Sequence, residues 1–355
     1  MLPVVTAPIV GVATSTTGLI GEASQGAVEQ AVLVTSLSEY EQVFGGPQPG
    51  QALFLGASQF FANGGRRAWV VRLGARSAAG IGRGLAALDV VDDLGLLVLP
   101  GLLGGPTLAA AAAYARSRGT FFVGDPGGTR PATVRAVRAI RARDRGHVAV
   151  YFPRVRAPDP LQPGSTTLCG PSAGIAGLLA RTDIDRGVHA FAAGTGAHFQ
   201  GAVGLAASVN YKAAATLRGQ GVNTIRQIPN HEIVVWGART VAGGREQGEA
   251  WKYVPVRRTA LYIEESIEHG IQWVDFEPND EPMWSTLRET VAAFLGELFQ
   301  QGMFAGTTPA EAFFVRCGSD TTTQNDIDSG TVVIEIGFAP LRPAEFVDFS
   351  IRHKR

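Results

Sequence analysis

The sequence predicts a mixed α/β fold: a mainly parallel wound sheet, with an extended β-strand arm at each end of the chain. Three observations carry this. Short apolar runs alternate with helix-spaced segments between residues 68 and 151, the βαβ pattern of a parallel sheet. Residues 1–21 hold no Lys, Arg, Asp or Glu and are rich in β-formers: Val4, Val5, Thr6, Ile9, Val10, Val12, Thr14, Thr16 and Thr17. Residues 345–351 alternate Phe346, Asp348 and Ser350 against Val347, Phe349 and Ile351, the two-residue period of a strand.

Taken in order, Pro3 and Pro8 forbid a helix in the first segment and suit an extended edge. Native edges usually carry charge against unwanted pairing. A charge-free arm fits a strand of the chain's own sheet, or one donated to a neighbouring subunit. Sixteen extended residues reach ~50 Å. Ser38-Glu39-Tyr40-Glu41 reads as a capping box opening a helix to Phe44, which Gly45-Gly46-Pro47 stops. Helical spacing follows over 51–63, at Leu53, Phe54, Ala57, Phe60 and Phe61. Strands are expected at 68–73, 96–99, 120–123 and 147–151, and helices at 108–118 and 132–142. Four prolines within 153–163 mark a loop or boundary. Further helices are expected at 172–181, 211–218, 256–269 and 283–301, and strands at 233–236, 311–316, 331–338 and 345–351.

Composition narrows the function. Among 355 residues, Lys+Arg is 31 and Asp+Glu is 31, so the formal net charge is zero. Such a surface does little to resist self-association, and it lacks the basic excess that a nucleic-acid binder needs. Two cysteines, Cys169 and Cys317, exclude a disulfide scaffold and a Cys-rich zinc module; both read as small buried hydrophobes. No window of ~18 apolar residues supports a membrane span, and the N-terminus lacks the pattern of a secretory signal. The expectation is a chain made and folded in the cytoplasm, with no direct membrane insertion.

Several motifs resemble chemistry. Gly170-Pro171-Ser172-Ala173-Gly174 matches G-x-S-x-G, the nucleophile elbow of hydrolases. The strand that should precede it is poor, and Ser172 reads more simply as a helix N-cap, with Pro171 nearby. Gly80-Ile81-Gly82-Arg83-Gly84 is Gly-rich without a convincing strand–helix context. Gly124-Asp125-Pro126-Gly127-Gly128 follows a strand, where amides can cradle an anion, but it lacks the G-K-[ST] of a P-loop. His231-Glu232 lacks the second His of H-E-x-x-H. Glu265 and His269 stand i,i+4 on one helix, yet no third metal ligand is in view. Arg135, Arg138, Arg141, Arg143 and Arg145 form a basic face, with Val134, Val137 and Ile140 inward. It reads as a solvated or subunit-contacting face. No catalytic constellation, cofactor site or metal site emerges.

Several blocks resemble one family. Residues 31–46, ending Ser38-Glu39-Tyr40-Glu41-Gln42-Val43-Phe44-Gly45-Gly46, are similar to the N-terminal signature of contractile tail sheath proteins. Val234-Val235-Trp236-Gly237-Ala238-Arg239-Thr240 resembles the family's V-W-G-A-R-T block. Trp251-Lys252-Tyr253-Val254-Pro255-Val256-Arg257-Arg258, residues 263–267, residues 273–280 (W-V-D-F-E-P-N-D), residues 312–317, residues 326–330 and Pro343-Ala344-Glu345-Phe346 follow in family order. The middle matches more weakly, through Gly170–Gly174 and Ala180-Arg181-Thr182-Asp183.

The resemblance implies a sheath-type core and a structural subunit of phage tails, R-type bacteriocins or extracellular contractile injection systems. Such subunits stack in rings around an inner tube as a helical homopolymer, meet baseplate and tail terminator proteins, and contract to drive the tube through a target envelope. They assemble in the bacterial cytoplasm. The implied division is a linking arm at 1–20, an N-terminal and middle α/β region at 21–230, a sheath C-terminal domain at 231–343 and a second linking arm at 344–355. The linking residues are then Val4, Val5, Ile9, Val10, Val12, Phe346, Val347, Phe349 and Ile351, within strands expected at 2–17 and 344–351. The helix over 283–301 buries Trp284, Leu287, Val291, Phe294, Leu295 and Leu298, leaving Arg288, Glu289 and Glu297 as candidates for inner-tube contact. Two alternatives stand beside this reading: an α/β hydrolase using Ser172, and a sheath-like protein that does not contract.

Overall fold

The computed structural model describes residues 7–128, 130–131, 134–229, 232–244, 250–341 and 347–354. The chain divides into two compact units: one is residues 13–258, and the other is residues 259 onward with the segment up to Val12.

Among its described residues the larger unit holds eleven strands. They are β1 (Thr17–Gly21), β2 (Ala31–Val34), β3 (Ala68–Arg72), β4 (Leu96–Val98), β5 (Phe121–Gly124) and β6 (Val148–Phe152), then β7 (Val155–Pro158), β8 (Thr166–Cys169), β9 (Gly204–Leu205), β10 (Val222–Gln227) and β11 (Ile233–Trp236). Its helices are α1 (Leu37–Phe44), α2 (Ala52–Ala62), α3 (Ala78–Ala86), α4 (Gly105–Ser117), α5 (Ser172–Arg186) and α6 (Tyr211–Gly219).

Eight strands form one sheet in the order β11-β10-β6-β5-β4-β1-β3-β2. The six inner strands run parallel, and β2 and β11 close the edges antiparallel. Strands buried on both faces need apolar runs rather than alternation; β1, β5 and β6 are buried throughout. On one face α2 and α5 pack against each other and onto the central strands. On the other, Ile81 and Leu85 of α3 and Leu108, Ala111 and Ala115 of α4 share a core with Ile20, Leu97, Phe122 and Val150. Each fully buried Leu, Ile or Phe there contributes roughly 1.5–3 kcal/mol.

Several expectations are corrected here. The α1 cap is Ser36, not Ser38. Ser36 is extended and its hydroxyl accepts from the Glu39 N–H, while the Glu39 carboxylate accepts from the Thr35 N–H at 2.7 Å. Residues expected as a helix over 132–142 form 3₁₀ turns at Ala136–Ala139 and Ala142–His147. The inward residues Val134, Val137 and Ile140 are buried, and their strict spacing of three is the 3₁₀ period. The Gly80–Gly84 stretch is helical, as α3. Ser77 caps it, and Gly84 lies so close to Leu73 that a Cβ would clash. β8 is a strand, but it pairs with β7 in a separate three-stranded sheet, β8-β7-β9. The expected boundary at 230/231 falls between β10 and β11, which pair with each other.

The smaller unit takes the second part of α7 (Val254–Gly270), then α8 (Glu281–Gln300), α9 (Pro309–Ala312), β12 (Phe313–Arg316), α10 (Gln324–Asp328), β13 (Thr331–Phe338) and β14 (Val347–Lys354). The three strands form an antiparallel sheet, β12-β13-β14. Glu311 and Ala312, expected in a strand, belong to α9, where Glu311 accepts from the Thr307 N–H. The α8 stripe is buried as expected, with Met283 added. Phe304 bridges Phe313 and Phe338 with centroids 6.2 and 5.3 Å away. Among the described residues no helix is long and apolar enough to cross a membrane.

Candidate functional site

The enzyme-like motifs resolve into structure first. Asp125 follows β5, and Ser172 is the first residue of α5, not its cap: Pro171 holds the cap position, and the Ser172 hydroxyl is taken up by Asp125. The Ser172 hydroxyl donates to Asp125 Oδ2 at 2.7 Å and its N–H donates to Oδ1 at 3.0 Å. Both residues are buried. A nucleophile elbow exposes its serine beside a base; here the serine is sealed and its partner is a carboxylate. Burial pushes the Asp125 carboxyl up to about 6, against the lowering pull of Ser172. Gly170 lies against the same carboxylate, with no room for a Cβ. The Gly124–Gly128 loop and the G-x-S-x-G pentapeptide are thus two halves of one internal joint.

Open parallel sheets hold ligands beyond the carboxyl ends of the strands where the winding reverses. In this order that place lies between β1 and β4. It is filled by α2: Gly21 abuts Leu53, Gly101 abuts Ala52, and Gly56 abuts Pro100. Among the described residues no group of three or more His, Cys, Asp and Glu is placed to hold a metal. His269, expected beside Glu265, is exposed in the last turn of α7. His231 lies outside the described residues.

The N-terminal arm has an anchored root. Val4 and Val5 lie outside the described residues. Ile9 is buried against Gly270, and the Val12 N–H donates to Ser266 Oγ at 3.1 Å. Val10 points outward and is 78% exposed. Residues 7–16 are not in a strand. Thr17, placed at the end of the expected linking strand, is instead the first residue of β1, paired with both Ala68 and Leu96. Further along the root, the Thr14 hydroxyl donates to Asp183 Oδ2 at 2.7 Å. Arg258 donates to both Asp183 oxygens, at 2.8 and 2.6 Å, and to the Thr14 carbonyl at 2.9 Å. Asp183 and Arg258 each close a block of the sequence, but neither block shows that the two meet, because this buried node's members are 75 and 169 residues from Asp183 along the chain.

At the other end, β14 pairs with β13 over eight residue pairs, from Phe338–Val347 to Thr331–Lys354. Val347 and Ile351 are buried, and the Phe349 ring stands edge-on to Phe338 at 6.5 Å. Phe346 lies outside the described residues. His353 meets Asp275 at 2.8 Å and Arg352 meets Asp326 at 3.3 Å. β14 is the last strand of its sheet, so its second edge faces away from β13.

On α8, Glu289 and Glu297 are exposed. Arg288 is held by its own chain: it donates to Glu281 at 2.7 Å and to the Cys317 carbonyl. The Trp236–Thr240 block turns around the buried Asn223. The Asn223 amide donates to the Arg239 and Val150 carbonyls, and its oxygen accepts from the Arg239 N–H at 2.8 Å.

Residues 246–354 match the family described as phage tail sheath C-terminal domain. The fold is similar to a chain of the contracted sheath complex of an extracellular contractile injection system, PVC. That match has a TM-score of 0.79 and 28% identity and covers 96% of this chain and 92% of that one. A chain of the anti-feeding prophage baseplate matches at 0.77 and 25% identity, covering 99% and 96%. A sheath tail protein from Listeria innocua matches at 0.71 and 11% identity, covering 98% and 96%, and speaks to the fold alone. No curated protein sequence matches the chain.

Proposed function

We propose that this chain, a member of the contractile tail sheath family, works as a structural subunit that polymerises into the sheath of a phage-tail-like particle. The observation that carries the reading is the match over nearly the whole chain to a contracted injection-system sheath. The carboxyl-terminal sheath domain agrees with it, and so does the sealing of Ser172. On this reading the subunits stack around an inner tube, meet a baseplate and a terminator, and assemble in the bacterial cytoplasm.

The chain ends do the linking. β14 already has the register of an added strand, and the apolar residues Val347, Phe349 and Ile351 that fix it in its own sheet would fix it equally in a neighbour's. The N-terminal segment is rooted at Val12 and Thr14, and its uncharged β-formers would add to a neighbour's sheet. Contraction needs no nucleotide: many small gains in contact between rigid subunits move a metastable lattice to a shorter form. Glu289 and Glu297, exposed on α8, are the candidates for contact with the tube; Arg288 ties that helix to the Cys317 carbonyl.

Negative-stain electron microscopy of the chain co-expressed with its genomic neighbours tests this. Striated tubes in long and short forms are expected. Discrete small particles alone would overturn it, and labelling of Ser172 by a serine-directed probe would favour the hydrolase.

A further inference from the structure

We propose that a pocket beside β11 receives Phe276 from a second copy of this chain, forming a heterologous contact within the polymer; this rests on the self-assembling role argued above. The pocket has a volume of about 210 Å³ and is walled by Tyr211, Trp236 and Tyr253 with Arg218, Arg226 and Arg239. The Arg226 guanidinium lies over the Trp236 ring at 5.6 Å, and that of Arg239 over Tyr253 at 5.7 Å. No Asp or Glu is among its described lining residues. Arg226 Nε is buried there and has no hydrogen-bond partner among the described residues. Tyr211 is 83% exposed at the rim. A cavity of ~150 Å³ already accepts benzene, so a phenyl ring fits this one with space for its flanking backbone. The surplus of arginines selects an acidic segment.

The smaller unit presents such a segment. Phe276 is 88% exposed, and the acids Asp275, Glu277 and Asp280 lie beside it along the chain, while Glu281 is paired with Arg288. The loop is held stiffly. Asp275 meets His353 at 2.8 Å, Trp284 Nε1 donates to Asn279 Oδ1 at 2.8 Å, and Asn279 Nδ2 donates to the Thr331 carbonyl at 3.2 Å. An aromatic ring carried on a rigid turn loses little freedom on docking and makes an interface anchor. Knob and pocket are built from different residues of the chain, so their union between copies is heterologous, the kind of contact that propagates a helical polymer.

The test uses the full chain and reads the concentration at which it polymerises, by light scattering and electron microscopy. Phe276→Ala should raise that concentration about tenfold or more, and Phe276→Trp should restore most of the loss. Ala214→Trp, which fills the pocket, and Tyr211→Ala should act alike. Phe276→Ala combined with Ala214→Trp should be no worse than either alone, because one contact is lost once. Thermal unfolding of the unassembled variants should match wild type. Normal assembly of Phe276→Ala, or additive losses, would overturn the proposal. Weakened assembly from the pocket variants alone would assign the pocket to another partner and overturn it too. A wild-type chain that never polymerises would instead sink the sheath reading.

Discussion

Ser172 and Asp125 stand 47 residues apart in sequence, yet the serine hydroxyl donates to the aspartate at 2.7 Å and its N–H donates to the other oxygen. The pair pins the start of α5 to the loop after β5. It turns two motifs that look catalytic into a buried fastening.

That fastening makes a pH prediction. Burial raises the folded-state Asp125 pKa from 3.8 to about 6. Between these values the folded chain holds a proton that the unfolded chain has released. Stability therefore falls as pH rises from 4 to 6, by about 3 kcal/mol for this group alone. Asp125→Asn should remove that slope in urea unfolding and match or exceed wild type at pH 7. Ser172→Ala should cost about 1–3 kcal/mol at pH 7 by leaving the carboxylate short of a donor.

His147 predicts the opposite slope. Burial, then the charges of Arg257 and Arg116, lowers its pKa from 6.5 to about 3. It faces Arg257 Nη2 at 2.6 Å, an arrangement that needs a neutral ring. As pH falls below 6.5 the unfolded chain gains a proton that the folded chain refuses until about pH 3. Stability drains away over that window. His147→Gln should flatten the acid limb of the stability profile, measured in the Asp125→Asn background so that the two slopes do not cancel.

The Asp183–Arg258 pair is 5% and 4% exposed at its side chains, and Asp183 also holds Thr14. Removing one partner strands a buried charge, at a cost of about 3–5 kcal/mol. Asp183→Ala should show this in denaturant unfolding of the unassembled chain, and limited proteolysis should open at the freed Thr14 segment. Thr14→Ala should cost only about 1 kcal/mol, with Arg258 still paired.

How much of this was legible in the sequence depends on the kind of signal. The inner strands β5 and β6 and the α8 stripe follow from apolar periodicity, which records burial directly. β10 was hidden because Asn223 and Thr224 break its apolar run. Both are buried, and Asn223 serves the turn at Arg239. α3 was hidden by its three glycines, whose helix-breaking tendency is outweighed by the Ser77 cap and the buried Ile81 and Leu85. The Asp125–Ser172 joint and the Asp183 node could not be read locally, because each is made by residues brought together only by the sheet. The charge-free composition of the N-terminal segment was legible. Its root was not, since one Ser266 hydroxyl and one glycine at position 270 hold it.

The root sets the terms for the arm's own test. Deleting residues 2–8 removes uncharged β-formers but leaves Ile9 on Gly270, Val12 on Ser266 and Thr14 on Asp183. That chain should unfold within about 1 kcal/mol of wild type, because it loses none of these anchors, yet it should fail to form sheath. Deleting through residue 17 goes further. It removes the Thr14 bonds and the first residue of β1, with its pairing to Ala68 and Leu96, so a loss of assembly there would report instability as much as lost linkage. The shorter deletion separates the two. A stable chain lacking residues 2–8 that still builds striated tubes would remove the N-terminal arm from the linking mesh and leave β14 to carry it.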